Sequence, residues 1–133
     1  MITASTQDPK HNKQVASIGL KTVFNILEKW GCQPEQVQAI LQISRPAYYK
    51  YRKAPEAASL THDQVERLSY LLNIHASLRI LFENPENVYG FMGMKNDNPF
   101  FNGKTPLELI SSGSFAALYE TFKRIDALRG GLW

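Results

Sequence analysis

The sequence predicts an all-α fold of about seven helices. Apolar residues recur at intervals of three and four along most of the chain, and Ser, Thr, Asn, Gly and Pro stand where these segments begin and end. No segment shows the regular alternation of a half-buried strand. With 133 residues, 44% hydrophobic and 20% charged, the chain has an ordinary globular composition, so we expect most of it to fold.

Helix start and stop signals divide the first half of the chain. Residues 1–16 are polar, lack the apolar stretch of a secretory signal and are expected to form a disordered leader. A first helix follows from Ser17, where apolar residues recur on one face until a glycine stops it. Two shorter helices are predicted from Pro34 and from the cap Ser44, and a linker follows at residues 54–59.

Capping boxes mark two helices of the second half. Thr61 and Gln64 have this spacing ahead of a long helix that ends near Asn84, which can itself cap a short helix. Thr105 and Glu108 repeat the pattern. Ser114 is predicted to cap the last helix. Apolar residues predicted to line one face of the long helix are Val65, Leu68, Leu71, Leu72, Leu78 and Phe82; those of the last helix are Phe115, Leu118, Phe122, Ile125 and Leu128.

Residues 34–53 have the layout of a helix-turn-helix, in which a short helix and a tight turn precede a helix whose outer face meets DNA. The five positions that are usually buried in this motif hold Val37, Leu41, Ile43, Tyr48 and Tyr51. Cations and hydroxyls on the second helix could reach phosphates or base edges. The candidate DNA-binding residues are Ser44, Arg45, Tyr49, Lys50, Arg52 and Lys53.

Two positions depart from the usual motif. Gln38 stands where a small residue is common at the helix crossing, and Gln42 stands where the turn often has glycine. A basic, solvated helix in an ordinary bundle, or a helix-turn-helix kept only as a scaffold, is therefore an alternative interpretation. Charge favours a polyanion partner: residues 1–59 carry eight Lys or Arg against four Asp or Glu, a net +4, whereas residues 60–133 carry seven against eight, a net −1.

Three segments of the second half resemble the toxin-binding domain of the bacterial Xre/MbcA/ParS antitoxin family. They are LTHDQVERL at residues 60–68, NPFFNGKTPLEL at residues 98–109 and LRGGLW at residues 128–133. Members of this family are typically encoded beside a RES-domain toxin, an enzyme that degrades NAD. The resemblance implies a homodimeric antitoxin that docks on such a toxin and represses its own operon by binding operator DNA.

The resemblance also implies a domain organisation and a set of contact residues. Residues 1–16 would be the leader, 17–59 the DNA-binding region and 60–133 the toxin-binding and dimerisation module with its C-terminal tail. The tail combines an arginine, two glycines and a terminal tryptophan, which suits a peptide that enters a cleft. Alternatively, Trp133 packs on its own core. The candidate toxin-binding residues are Asn98, Phe100, Phe101, Asn102, Arg129, Gly130, Gly131, Leu132 and Trp133.

The sequence gives no pattern typical of an enzyme, a cofactor site or a membrane protein. A single cysteine, Cys32, excludes an internal disulfide and fits a cytoplasmic protein. His62 and Glu66 stand four residues apart without a third metal ligand nearby, so a surface pair is expected. His75 shares a face with leucines and is predicted to be a hydrogen-bonded core or interface residue. The competing function is a stand-alone transcription regulator whose C-terminal half only dimerises.

Overall fold

The computed structural model describes the backbone of residues 9–129 and the side chains of residues 12–129. This part of the chain forms seven α-helices and no strand, which confirms the all-α prediction. The helices are α1 (Pro9–Lys29), α2 (Pro34–Leu41), α3 (Arg45–Lys53), α4 (His62–Leu81), α5 (Pro85–Gly90), α6 (Pro106–Ile110) and α7 (Phe115–Leu128). Two short 3-10 turns, Pro55–Ala57 and Phe91–Gly93, follow α3 and α5.

Side-chain caps begin the helices where the sequence predicts them. The hydroxyl of Thr61 accepts from the amide of Gln64, and the side chain of Gln64 accepts in return from the amide of Thr61. Thr105 and Glu108 form the same reciprocal pair. The hydrogen bonds from Thr105 lower the pKa of Glu108, since they stabilise its charged form. The remaining predicted side-chain caps are Ser44, Asn84 and Ser114.

Helix α1 begins at Pro9, so the prediction of a disordered leader through residue 16 is wrong for residues 9–16. Lys and Gln are good helix formers and proline is favoured at a first helical position. The apolar pattern did not reveal these first two turns because they contain one large apolar residue, Val15, which is 55% exposed. Residues 1–8 lie outside the described residues.

Helix α4 is the centre of the structure and packs against α1, α2, α5 and α7. Leu68, Leu71 and Leu78 are buried as predicted, whereas Val65 is 38% exposed, and Ile74, which the prediction omitted, is buried. The inward face also contains two polar residues, Arg67 and Ser77, which apolar periodicity does not detect. One cluster of buried residues runs from α1 through α4 to α7, so the DNA-binding and toxin-binding regions predicted from the sequence share a core.

The predicted linker at residues 54–59 is packed against the rest of the chain. Its 3-10 turn contacts both α1 and α3, and Ala58 is buried. The amide of Ser59 donates to the hydroxyl of Tyr51, 3.4 Å away. This segment therefore holds the third helix against the first. A division of function at residues 59/60 stays a prediction.

Candidate nucleic-acid interface and partner surface

Helices α2 and α3 form the predicted helix-turn-helix, joined by residues 42–44. Four of the five positions predicted to be buried are buried: Val37, Leu41, Ile43 and Tyr48. The fifth, Tyr51, is half-buried and packs against the core. The edge of the Tyr48 ring meets Phe24 of α1, with centroids 5.7 Å apart, so the second helix is anchored on the first helix of the chain.

The turn of the motif takes a left-handed conformation at Gln42, with φ 56° and ψ 48°. Glycine is common at this position because side chains disfavour that conformation. Here the side chain stabilises the turn instead: Nε2 of Gln42 donates to the carbonyl of Ala39 at 2.7 Å. The carbonyl of Gln42 also accepts from Nε2 of Gln64 at 2.8 Å. The turn lacks the usual glycine, but one hydrogen bond within the turn and one from α4 stabilise it.

The outer face of α3 presents Arg45, Tyr49, Lys50 and Lys53, all of them exposed. At ~100° per residue, Tyr49, Lys50 and Lys53 lie opposite the inward-facing side, and Arg45 lies at the edge of the outer face. The guanidinium of Arg45 stacks over the Tyr49 ring at 5.7 Å, which orders the N-terminal end of the face. Three cations and a phenol on one exposed helix side suit contacts with phosphates and base edges.

Two of the predicted DNA-binding residues are occupied elsewhere. The hydroxyl oxygen of Ser44 caps α3 by accepting from the amide of Ala47 at 3.2 Å. Arg52 lies at the edge of the outer face and turns toward α1, where Nη2 is 3.1 Å from a carboxylate oxygen of Glu28. Its guanidinium also stacks over Phe24 at 5.4 Å. The structure thus separates Arg52 from the other cations of α3.

A second group of polar contacts ties the helix-turn-helix to the C-terminal half. Arg67 of α4 is buried, and its Nη1 donates to the carbonyls of Ile40, at 3.2 Å, and Gly113, at 3.0 Å. Nε of Arg67 donates to Asp63 at 2.8 Å. This role of Arg67 was not predicted from the sequence. A detectable signal was its spacing of three and four from Gln64 and Leu71, which places a cation on a face of α4 that is otherwise buried.

The loop at residues 94–104 is closed by backbone hydrogen bonds. The amide of Asn96 donates to the carbonyl of Lys104 at 3.1 Å, and the amide of Gly103 donates to the carbonyl of Asn96 at 3.1 Å. Inside the loop, the side chain of Asn98 accepts from the amide of Phe100 at 3.0 Å. Asn98 is therefore an organiser of the turn.

The aromatic pair of this loop divides between core and surface. Phe101 is fully buried, so its prediction as a contact residue is corrected: its ring anchors the loop in the core. Phe100 is half-buried, and the guanidinium of Arg124 stacks over its ring at 5.2 Å. Asn102 is exposed, with a left-handed φ of 52°. Asn102, Phe100 and Arg124 are thus placed where a partner could contact them.

The C-terminal tail begins at Arg129, which is exposed and pairs with Asp126 on the last turn of α7. The remaining predicted tail residues, Gly130, Gly131, Leu132 and Trp133, lie outside the described residues.

A half-exposed aromatic cluster accompanies α7: the ring of Tyr70 contacts Phe115, Tyr119 and Phe122, with centroids 5.2–5.7 Å apart. Aromatic side chains of this kind are enriched at protein interfaces.

His62, Cys32 and His75 were considered as a metal ligand, a nucleophile and a base, and their surroundings favour structural roles. His62 pairs with Glu66 at 3.0 Å on the surface, as predicted, and the described residues contain no group of three side chains that could hold a metal. Burial raises the pKa of the Cys32 thiol to about 12, which disfavours a thiolate nucleophile. Nδ1 of His75 is buried without a hydrogen-bond partner among the described residues, so the prediction of a hydrogen-bonded histidine is wrong there. No helix in this part of the chain could cross a membrane.

Comparison with known proteins assigns both halves of the chain. The family described as "Antitoxin Xre-like helix-turn-helix domain" matches residues 11–73, and the family described as "Antitoxin Xre/MbcA/ParS C-terminal toxin-binding domain" matches residues 77–131. The two matches meet inside α4, the helix that both halves share. The chain is also 33% identical over 113 residues to the uncharacterized protein y4oB of Sinorhizobium fredii, with 84% of each chain covered.

Proposed function

The chain belongs to the Xre/MbcA/ParS antitoxin family, and from this premise we propose that it blocks a RES-domain toxin and represses its own operon. As the antitoxin of a type II system, it would hold an NAD-degrading enzyme inactive in the cytoplasm through its C-terminal module. Its helix-turn-helix would bind the operator as part of a homodimer. The two activities would belong to two parts of one helical unit that share a buried core.

The observation that supports operator binding is the outer face of α3. Arg45, Lys50 and Lys53 are exposed on it, and none of them is an ion-pair partner of an acid in the described structure. A helix with unpaired cations suits the major groove, where phosphates fix its position and base edges give specificity. A homodimer would place two such helices about 34–36 Å apart, one helical turn of DNA.

The toxin-binding role is supported by the second half of the chain. The resemblance of residues 98–109 and 128–133 to the family's toxin-binding domain favours a RES-domain partner. Asn102, Phe100 and Arg129 are accessible for such a contact, and Arg129 leads into the tail. We propose that the tail through Trp133 enters the active-site cleft of the toxin, while Phe101 contributes indirectly by anchoring the loop.

Operator binding is tested with a matched pair of double variants. Arg45→Ala with Lys50→Ala removes two cations of the α3 face, whereas Lys123→Ala with Arg124→Ala removes the same two residue types from exposed positions of α7. Affinity for the region upstream of the gene is measured by fluorescence anisotropy at several salt concentrations. We expect only the first pair to weaken binding and flatten the salt dependence. Equal affinities for both pairs would contradict operator recognition by α3.

The toxin partner is tested by co-expression with the product of the neighbouring reading frame. We expect a complex to co-purify, cellular NAD to be preserved, and both effects to disappear when residues 129–133 are deleted. Circular dichroism of the truncated chain controls for loss of helicity. Full protection by the truncated protein would refute tail insertion. A neighbouring product that neither binds nor harms the cell would favour a stand-alone regulator.

A further inference from the structure

The turn of the helix-turn-helix is held by side chains of α4, one of which also binds the segment between α6 and α7. Gln64 of α4 donates to the carbonyl of Gln42 at 2.8 Å, and Arg67 donates to the carbonyl of Ile40 at 3.2 Å. The same nitrogen of Arg67 donates to the carbonyl of Gly113, between α6 and α7, at 3.0 Å. We call Gln42, Gln64, Arg67 and Gly113 the turn clamp.

The turn clamp is closely packed as well as hydrogen-bonded. Gly113 has a φ of +84°, and a Cβ atom added there would lie 2.6 Å from Nε2 of Gln42 and 3.1 Å from the carbonyl oxygen of Ala39. The backbone between α6 and α7 therefore passes directly against the end of α2 and the turn. The turn and the backbone at Gly113 are in direct contact. Movement of the turn relative to this segment would therefore break the contacts between them.

We propose that the turn clamp positions α3 relative to the C-terminal half, and that sequence-specific DNA binding depends on it. The inference rests on the proposed operator binding and adds the residues that determine specificity. Specific recognition requires each recognition helix to hold a fixed place and orientation in its groove, whereas sequence-independent binding needs only the cations. Gln64, Arg67 and Gly113 lie outside the DNA-facing helix, so they act as positioning residues.

The chain offers a matched pair of substitutions as the test. Gln64→Glu keeps the capping box, because a carboxylate still accepts from the amide of Thr61, but it removes the donor to the carbonyl of Gln42. Gln36→Glu makes the same charge change at the equivalent cap position of α2. Its partner, the hydroxyl of Ser111 at 3.3 Å, can turn and donate to the new carboxylate.

The measurement is the ratio of affinities for the gene's upstream region and for random-sequence duplex of equal length. We expect Gln64→Glu to lower this ratio about tenfold or more, with its affinity for random duplex equal to that of Gln36→Glu. Gln36→Glu is expected to keep the ratio of the unchanged protein within about twofold. Equal ratios in the two variants would overturn the inference.

Amide hydrogen exchange separates failure of the clamp from failure of operator binding. In Gln64→Glu we expect faster exchange at residues 42–53 than in Gln36→Glu, with α1 and α7 unchanged. Equal exchange would show that Gln64 does not hold α3 and would overturn the inference without reference to DNA. Faster exchange in a protein that shows no preference for its own upstream region would contradict operator recognition, and with it the specificity role of the clamp.

Discussion

Nη1 of Arg67 lies 3.0 Å from the carbonyl oxygen of Gly113 and 3.2 Å from that of Ile40. The counter-ion of Arg67 is Asp63, which accepts from Nε and has a side chain that is 52% exposed. The buried guanidinium therefore serves two backbone carbonyls in the interior and meets its counter-ion only at the surface. The structural importance of Arg67 should come mainly from the carbonyls, since the carboxylate of Asp63 is half in water and is screened there.

Arg67→Met should destabilise the protein much more than Asp63→Asn. Methionine keeps a long apolar stem but leaves two carbonyls without their donor, at about 1–3 kcal/mol for each group that stays buried and unpaired. Asp63→Asn removes only an ion pair whose acidic partner is half in water, at about 0–1 kcal/mol. Urea unfolding of the two variants gives both free energies. A loss in Asp63→Asn as large as that in Arg67→Met would show that the ion pair dominates.

Gly113→Ala should destabilise the protein, while Gly90→Ala should not. The left-handed conformation at residue 113 costs an L-residue about 1–2 kcal/mol, and the crowding against Gln42 adds to this. Gly90 ends α5 with φ −81°, and a Cβ there would have no neighbour within 4 Å, so alanine should gain up to about 1 kcal/mol. Thermal unfolding measures both changes. A Gly113→Ala midpoint at or above that of Gly90→Ala would contradict the crowding.

The sequence could predict the helices because their signals are local. The spacing between Thr61 and Gln64 fixes where α4 begins, and the capping geometry is the one expected. Spacing could place Arg67 on the inward face of α4, but it could not predict the partners of Arg67, because they lie 27 and 46 residues away in the chain. The early start of α1 was missed for a related reason: apolar periodicity detects buried faces, and residues 12–15 are exposed.

The candidate site was predicted unevenly for the same physical reason. The outer positions of α3 follow from helix periodicity, so Arg45, Tyr49, Lys50 and Lys53 share a face as expected. Arg52 lies at the edge of that face, where its direction depends on Glu28 in another helix. Phe101 shows the opposite error, because a motif residue that looks like a contact anchors the loop from inside.

The stability of the protein should fall on mild acidification because of His75. Burial lowers the pKa of His75, and the nearby cations Arg79 and Lys29 lower it further. Just below pH 6.5, the histidine of the unfolded chain, with a pKa of about 6.5, therefore binds a proton that His75 of the folded protein does not bind. The free energy of unfolding is therefore fully retained above that value and is lost as the pH falls through it toward the folded pKa.

His75→Leu should reduce this loss, because it removes the half-buried group that titrates. Leucine removes the titrating imidazole ring of His75, which stacks on the ring of Tyr89 with centroids 5.4 Å apart. Urea unfolding between about pH 7.5 and 5.5 isolates this histidine effect from carboxylates, which titrate lower. The same pH slope in His75→Leu as in the unchanged protein would contradict the assignment.

Lys53→Ala and Arg52→Ala should affect DNA binding differently although the two residues are neighbours. Lys53 is exposed on the outer face of α3, whereas Arg52 is held by Glu28 at 3.1 Å and by the Phe24 ring at 5.4 Å. Removing a phosphate contact lowers the slope of log affinity against log salt by about 1. We expect that change in Lys53→Ala alone, while Arg52→Ala weakens the attachment of α3 to α1 and lowers the unfolding midpoint. A reduced salt slope in Arg52→Ala, with the slope of Lys53→Ala unchanged, would mean that Arg52 leaves Glu28 to meet the DNA.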